Sequence, residues 1–254
     1  MERSSEKIPF ARIEANLKTI RDRIGQAASR ASRDAAGIKL VAVTKYVGLE
    51  EMEALYKLGV EHFGESRVQD AEKKCKAFEA SAPGMIWHLI GHLQTNKADK
   101  AVKLFQLVHS IDSDRVAQAL HKEQAKKFGA LTPPPSTTVL FPPLEGLIEV
   151  NVAGEANKHG LPPDLEQLRV LLETCASLHG IRVTGLMCMA PYAENPEPTS
   201  RPVFKRLREL RDELNSKNVY PHPLTELSMG MTQDYHIAIE EGATIVRIGS
   251  ALFE

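Results

Sequence analysis

IKLVAVTK, residues 38–45, is the stretch on which the fold turns. Apolar and β-branched residues fill the run without polar alternation, which predicts a short strand buried on both faces and closed by a lysine. Such a strand requires helices on either side of its sheet. Upstream, residues 8–31 predict an opening helix, since Ile13, Leu17, Ile20 and Ile24 recur at helical spacing among charged and small residues. Downstream the chain alternates. Helices are predicted over 50–58, 68–80, 97–104, 112–129, 163–178, 199–217 and 233–241. Between them fall the strand candidates HFGES (62–66), MIWHLIGH (85–92), FQLVHSI (105–111), GLIEVNV (146–152), IRVTGLMCM (181–189), TELSMG (225–230) and TIVRIGS (244–250). Eight strands alternating with helices predict an α/β chain closed as a (β/α)8 TIM barrel, with an open doubly wound sheet as the rival. Residues 1–254 are expected to form this one domain.

Composition narrows the partners. Thirty-two basic residues nearly cancel thirty-three acidic ones, which gives no global reason to expect nucleic acid or an anionic membrane. The N-terminus MERSSEKIPF lacks the apolar centre of a secretion signal, and no later run reaches the length of a membrane span, so a soluble cytoplasmic protein is expected. Cys75, Cys175 and Cys188 are too few and scattered for a disulfide scaffold or a cysteine metal site. LTPPPSTTVLFPPLEG (131–146) breaks the rhythm with five prolines and is expected to be a loop insertion.

Polar residues at the C-terminal ends of barrel strands converge on one face. Lys45 follows the run LVAV there, and a packed stem would favour the neutral amine that attacks an aldehyde; a surface lysine is the alternative. LSMGMTQDY (227–235) sets Ser228 and Gly230 ahead of a helix, and RIGS ends the last strand with Gly249 and Ser250, so the two could form an anion cradle. Arg247 precedes Gly249 by two and shares its side of the strand. A ring nitrogen or an ion pair to a barrel carboxylate would satisfy it. WHLIGHLQTNK (87–97) offers His88 and His92, but no HExxH pattern or cysteine companion occurs, and His109, His159 and His236 lack a fixed spacing with them, so no metal is expected. No GxGxxG, Walker or GxSxG sequence is present.

The segments VAVTK (41–45), HFGESRVQD (62–70), WHLIGHLQTNK (87–97), EVNVAGEANKHG (149–160), GLMCMAPY (185–192) and LSMGMTQDYHIAIEEGATIVRIGSALF (227–253) resemble, in order, the YggS/PROSC family of pyridoxal 5'-phosphate (PLP) homeostasis proteins. The resemblance implies a barrel like the N-terminal domain of alanine racemase, PLP fold type III, with PLP held as a reversible Schiff base on Lys45. It further implies a phosphate site at Ser228, Gly230, Gly249 and Ser250, Arg247 facing the pyridine nitrogen, and His88 and Met187 lining the pocket. An arginine there makes the ring a weaker electron sink. Ser66 stands where the family usually has asparagine, and its shorter side chain is not expected to reach the cofactor directly. The racemases complete their site with a second domain for which this chain leaves no room, so intracellular PLP homeostasis without robust catalysis is the expected function, with no catalytic residue assigned. A weak PLP-dependent amino-acid racemase is the alternative. Expected partners are PLP, small amines or amino acids, and PLP-dependent apoenzymes, and the chain is expected to be a monomer.

Overall fold

A computed structural model describes residues 8–129, 141–156 and 158–254. Its order is α1 (Phe10–Arg30), β1 (Lys39–Val43), α2 (Leu49–Lys57), β2 (His62–Glu65), α3 (Val68–Phe78), β3 (Ile86–Leu89), α4 (Ala98–Leu104), β4 (Leu107–Ile111), α5 (Asp114–Lys127), β5 (Leu144–Glu149), α6 (Leu165–Ala176), β6 (Ile181–Met187), α7 (Glu197–Ser216), β7 (Glu226–Ser228), α8 (Tyr235–Glu240), β8 (Ile245–Ile248) and α9 (Ser250–Phe253). The eight strands close as a barrel in chain order, and every pairing is parallel. Closure is made by β1 on β8, with Val41 opposite Arg247.

Two apolar regions hold this shape. Outside the sheet, the helices bury residues such as Leu17, Leu55, Leu89, Leu120 and Phe204, each contributing about 1.5–3 kcal/mol on leaving water. Ile13, Leu17, Ile20 and Ile24 form the buried face of α1, as their spacing predicts. Inside the barrel, Val41, Leu107, Leu147, Met187 and Ile245 make a smaller cluster. Gly185 allows β6 to approach β7, because a Cβ there would lie 1.9 Å from the Glu226 carbonyl oxygen. On the outside, Arg201 of α7 pairs with Glu240 and Glu241, while Arg30 of α1 reaches Glu240.

The strands are shorter than the sequence predicts, most visibly at their C-terminal ends. β1 stops at Val43, and Lys45 lies in the turn beyond it. There the Thr44 carbonyl accepts from the Val47 N–H at 3.1 Å and from Lys74 Nζ at 2.6 Å, which bends the chain off the ladder. β5 begins earlier than expected, at Leu144, immediately after Pro143. Residues 144–146 therefore belong to the sheet and not to the loop, and residues 131–140 of the expected insertion lie outside the described residues. No described helix is long and apolar enough to cross a membrane.

Candidate functional site

The C-terminal ends of β7 and β8 bring the two predicted cradle segments together. Arg247 N–H donates to the Gly230 carbonyl at 3.0 Å, and Ser250 Oγ lies 3.4 Å from Thr232 Oγ1. Gly230 has φ +90°, and a Cβ there would stand 2.6 Å from the Ala238 Cβ and 2.8 Å from the Tyr235 Cα. Only glycine makes this turn with α8 packed behind it. Asp234, buried at the same turn, accepts from the Met231 N–H at 2.7 Å and from Ser200 Oγ at 2.9 Å, which braces the loop. Gly249 stands directly before α9. A phosphate-sized anion would meet small residues, two hydroxyls and backbone N–H groups here.

Arg247 is 3% exposed, and its guanidinium donates to Ser228 Oγ at 2.5 Å and to the Cys188 carbonyl at 2.9 Å. The sequence left open an ion pair to a barrel carboxylate; these bonds run instead to a hydroxyl and a carbonyl. Burial lowers its pKa, with Cys188, Asp234 and Glu149 opposing. A buried cation so placed favours a ligand atom that accepts a hydrogen bond.

Behind Arg247 a line of imidazoles crosses the barrel. His109 Nδ1 lies 2.9 Å from Ser228 Oγ, His109 Nε2 lies 2.9 Å from His88 Nδ1, and His88 Nε2 lies 2.9 Å from His62 Nδ1. Because β4 and β7 are not neighbours in the closed sheet, the contact between His109 and Ser228 passes through the interior. Burial holds His88 down to about 3, with His62 and Lys39 adding to it. His109 is lowered well below its ordinary value, again chiefly by burial.

Glu149, at the end of β5, is the pocket residue that sequence reasoning passed over. It is 4% exposed, its Oε2 has no hydrogen-bond partner among the described residues, and burial followed by Asp112 raises its pKa to about 7 against the pull of Arg247. The rim also gathers His92, Asp112 and His159, whose ligand-capable atoms lie within 4.8 Å of one another despite their irregular spacing in sequence. The two rings stack at 3.8 Å and 11°, so their in-plane lone pairs run parallel and not toward one point.

The fold thus brings together Ser228, Gly230, Arg247, Gly249 and Ser250. Met187 ends β6 level with Glu149 and Ser228 and belongs to the interior apolar cluster, and His88 is in the imidazole line. Lys45 is exposed, with Nζ 4.9 Å from the centre of the Tyr46 ring, the surface placement that the sequence left open as the alternative to a packed stem. Ser66 is half-buried beside Gly91, whose absent Cβ leaves room for the Ser66 carbonyl. His62, His109, Glu149 and Thr232 were missed as site residues. The available signal was polar side chains set in otherwise apolar strands, strongest for His109 in LVHSI and Glu149 in LIEV.

Residues 9–254 match the family described as alanine racemase, N-terminal domain. A pyridoxal phosphate homeostasis protein of Aquifex aeolicus (strain VF5) is 41% identical over 237 residues, covering 93% of this chain and 95% of its own. The protein of that name in Homo sapiens is 32% identical over 243 residues, covering 93% and 84%. The structure of PipY from Synechococcus elongatus PCC7942 with PLP bound superposes with a TM-score of 0.75 at 32% identity, covering 92% of this chain and all of PipY. Alanine racemase of Clostridium difficile 630 shares the fold at TM-score 0.71 and 15% identity, over 96% of this chain and 57% of the racemase.

Proposed function

The chain belongs to the pyridoxal phosphate homeostasis protein family, and we propose that it binds pyridoxal 5'-phosphate in the C-terminal mouth of the barrel as part of the intracellular homeostasis of that cofactor. The observation that carries the reading is Arg247: a buried guanidinium, bonded to a hydroxyl and a carbonyl, beside a glycine turn that a Cβ would fill. The residues fit the group. Ser228, Gly230, Gly249 and Ser250, with Thr232 beside them, would take the phosphate; Arg247 would donate to the ring nitrogen. Met187 and His88 would back the pocket from the interior.

When bound, the cofactor supplies an aldehyde open to amines and a ring that can delocalise electrons. Lys45 would hold that aldehyde through a reversible covalent bond to its ε-amine. Its exposed turn suits a protein that must give the cofactor up, since an incoming amine needs access to the same carbon. Arginine, unlike a carboxylic acid, has no carboxyl proton to lend the ring nitrogen, which supports holding over robust catalysis. The relatives give the racemase alternative no support. Small amines, amino acids and PLP-dependent apoenzymes are the partners this reading assigns to a monomeric, cytoplasmic, one-domain protein. Its three free cysteines suit a reducing compartment, and burial raises each of them to about 12.

The test is the absorption spectrum of cofactor-saturated protein from 300 to 500 nm, before and after borohydride, with Lys45→Ala in parallel. A retained band that reduction fixes as added mass on the peptide containing Lys45 is expected. A saturated wild-type protein without that adduct, or an adduct unchanged in Lys45→Ala, defeats the covalent assignment.

A further inference from the structure

The imidazole line has a direction, and the hydroxyl of Ser228 sets it. Arg247 always donates, so Ser228 Oγ accepts from it. Ser228 is fully buried, and among the described residues the one acceptor offered to its hydroxyl hydrogen is His109 Nδ1 at 2.9 Å. Any other arrangement leaves a buried O–H unpaired. His109 must then carry its hydrogen on Nε2 and donate it to His88 Nδ1; His88 in turn carries its hydrogen on Nε2 and donates to His62 Nδ1. Burial keeps both inner rings neutral, so each has one hydrogen to give.

The outer end differs. His62 opens β2 at the N-terminal mouth and is half-buried, lining a surface depression with Arg21, Lys39 and Glu61. Lys39 of β1 and Glu226 of β7 pair with each other at 2.7 Å, and both act on His62, as does Glu61 beside it. A charge is tolerated there more readily than on the two inner rings.

We propose that His62, His88 and His109 form a polarised proton path through the barrel, every N–H directed away from Arg247, which couples protonation of His62 at the N-terminal face to the position of the Ser228 hydroxyl hydrogen in the pocket. The transfer balances. A hydronium in the pocket gives a proton to Ser228 Oγ as the hydroxyl hydrogen passes to His109 Nδ1. The N–H at His109 Nε2 breaks as one forms at His88 Nδ1, and the N–H at His88 Nε2 breaks as one forms at His62 Nδ1. His109 and His88 end neutral in the opposite tautomer, His62 ends as imidazolium, and water is left in the pocket. No electrons are exchanged. The new hydroxyl hydrogen of Ser228 can no longer point at His109 and turns to the pocket.

This coupling is independent of the cofactor reading and is tested without added ligand. The full chain, labelled with 15N-histidine, is followed by long-range 1H–15N NMR through acid titration, with rings assigned by single replacements. Above the titration of His62, all three rings carry hydrogen on Nε2; as His62 gains its proton, the His88 and His109 signals switch tautomer with the same midpoint. In His62→Gln the inner two rings stay fixed through that range. In Ser228→Ala reversal leaves the His109 Nδ1–H without its acceptor in place of the stranded hydroxyl, and the two inner rings still switch together with His62. An Nδ1–H tautomer in any of the three at the outset, or inner rings that hold still while His62 titrates, overturns the proposal.

Discussion

The two mouths of the barrel are made from the same eight strands and carry opposite kinds of polar chemistry. At the C-terminal mouth, Glu149 Oε2 is buried without a hydrogen-bond partner among the described residues, and Arg247 pairs with a hydroxyl and a carbonyl, not with a carboxylate. At the N-terminal mouth, Lys39, Glu226 and Thr244 satisfy one another, with Thr244 Oγ1 donating to Glu226 Oε2 at 2.7 Å. One end carries an unpaired buried carboxylate oxygen, and the other an ion pair and a hydroxyl bonded to one another. Between them the imidazole line joins an apolar layer that would otherwise seal the barrel.

The largest effect expected is at the open mouth. Gly230→Ala forces a Cβ into Ala238 and Tyr235 at a positive φ, and should destabilise the protein by about 3 kcal/mol or more in urea unfolding while abolishing PLP retention. A variant that binds normally would remove the turn from the phosphate cradle. Next comes the interior: His109→Leu, near in size, leaves the Ser228 hydroxyl and His88 Nδ1 unpaired and should lose about 2–3 kcal/mol, whereas His92→Leu on the exposed rim should stay within about 0.5 kcal/mol. Equal effects would erase the distinction between interior and rim.

Acid sharpens the comparison further. His88 and His109 are held below the ordinary 6.5, so the unfolded chain binds more protons; their stabilisation is complete above pH 6.5 and is lost as pH falls toward about 3 for His88. Each contributes a slope of about 1.4 kcal/mol per pH unit in that window. Glu149, raised from 4.5 to about 7, acts oppositely, its stabilisation lost as pH rises through that range. Between pH 4.5 and 6.5 the two histidines outweigh it, and stability should increase with pH, more steeply in Glu149→Gln. A flat profile by chemical denaturation would mean the inner rings take up protons while folded. The smallest effect belongs to the closed mouth. Lys39→Gln removes a partly exposed ion pair and should change stability by less than about 1 kcal/mol, yet raise the midpoint of His62, which Lys39 depresses after burial. NMR titration of His62 checks it.

The alternation of elements was legible because every strand of the barrel needs helices behind it, and the apolar runs say so directly. The turn before α8 was legible for a related reason: at Gly230, with φ +90° and Ala238 packed against it, no other residue would build the backbone as easily. Strand ends were not. Residues such as Thr44 and Cys188 still bond across to neighbouring strands, yet leave the regular ladder to form the mouth, and their sequence looks like more strand. Nor was the imidazole line legible, since His62, His88, His109 and Ser228 come from four strands and meet only when the register is known. The exposure of Lys45 depends on a turn fixed by Lys74, thirty residues away.

Closure of β1 on β8 joins residues about two hundred positions apart, a contact that is slow to form because so much chain must first be gathered in. Arg247 rides on β8, the strand that closes the sheet on β1. Without that pairing nothing would distinguish one direction along the three histidines from the other, so the barrel would hold the parts of its interior without their order. The seam therefore sets more than shape: a variant that weakens the β1–β8 pairing should lose the placement of Arg247 and the direction of the histidine line together.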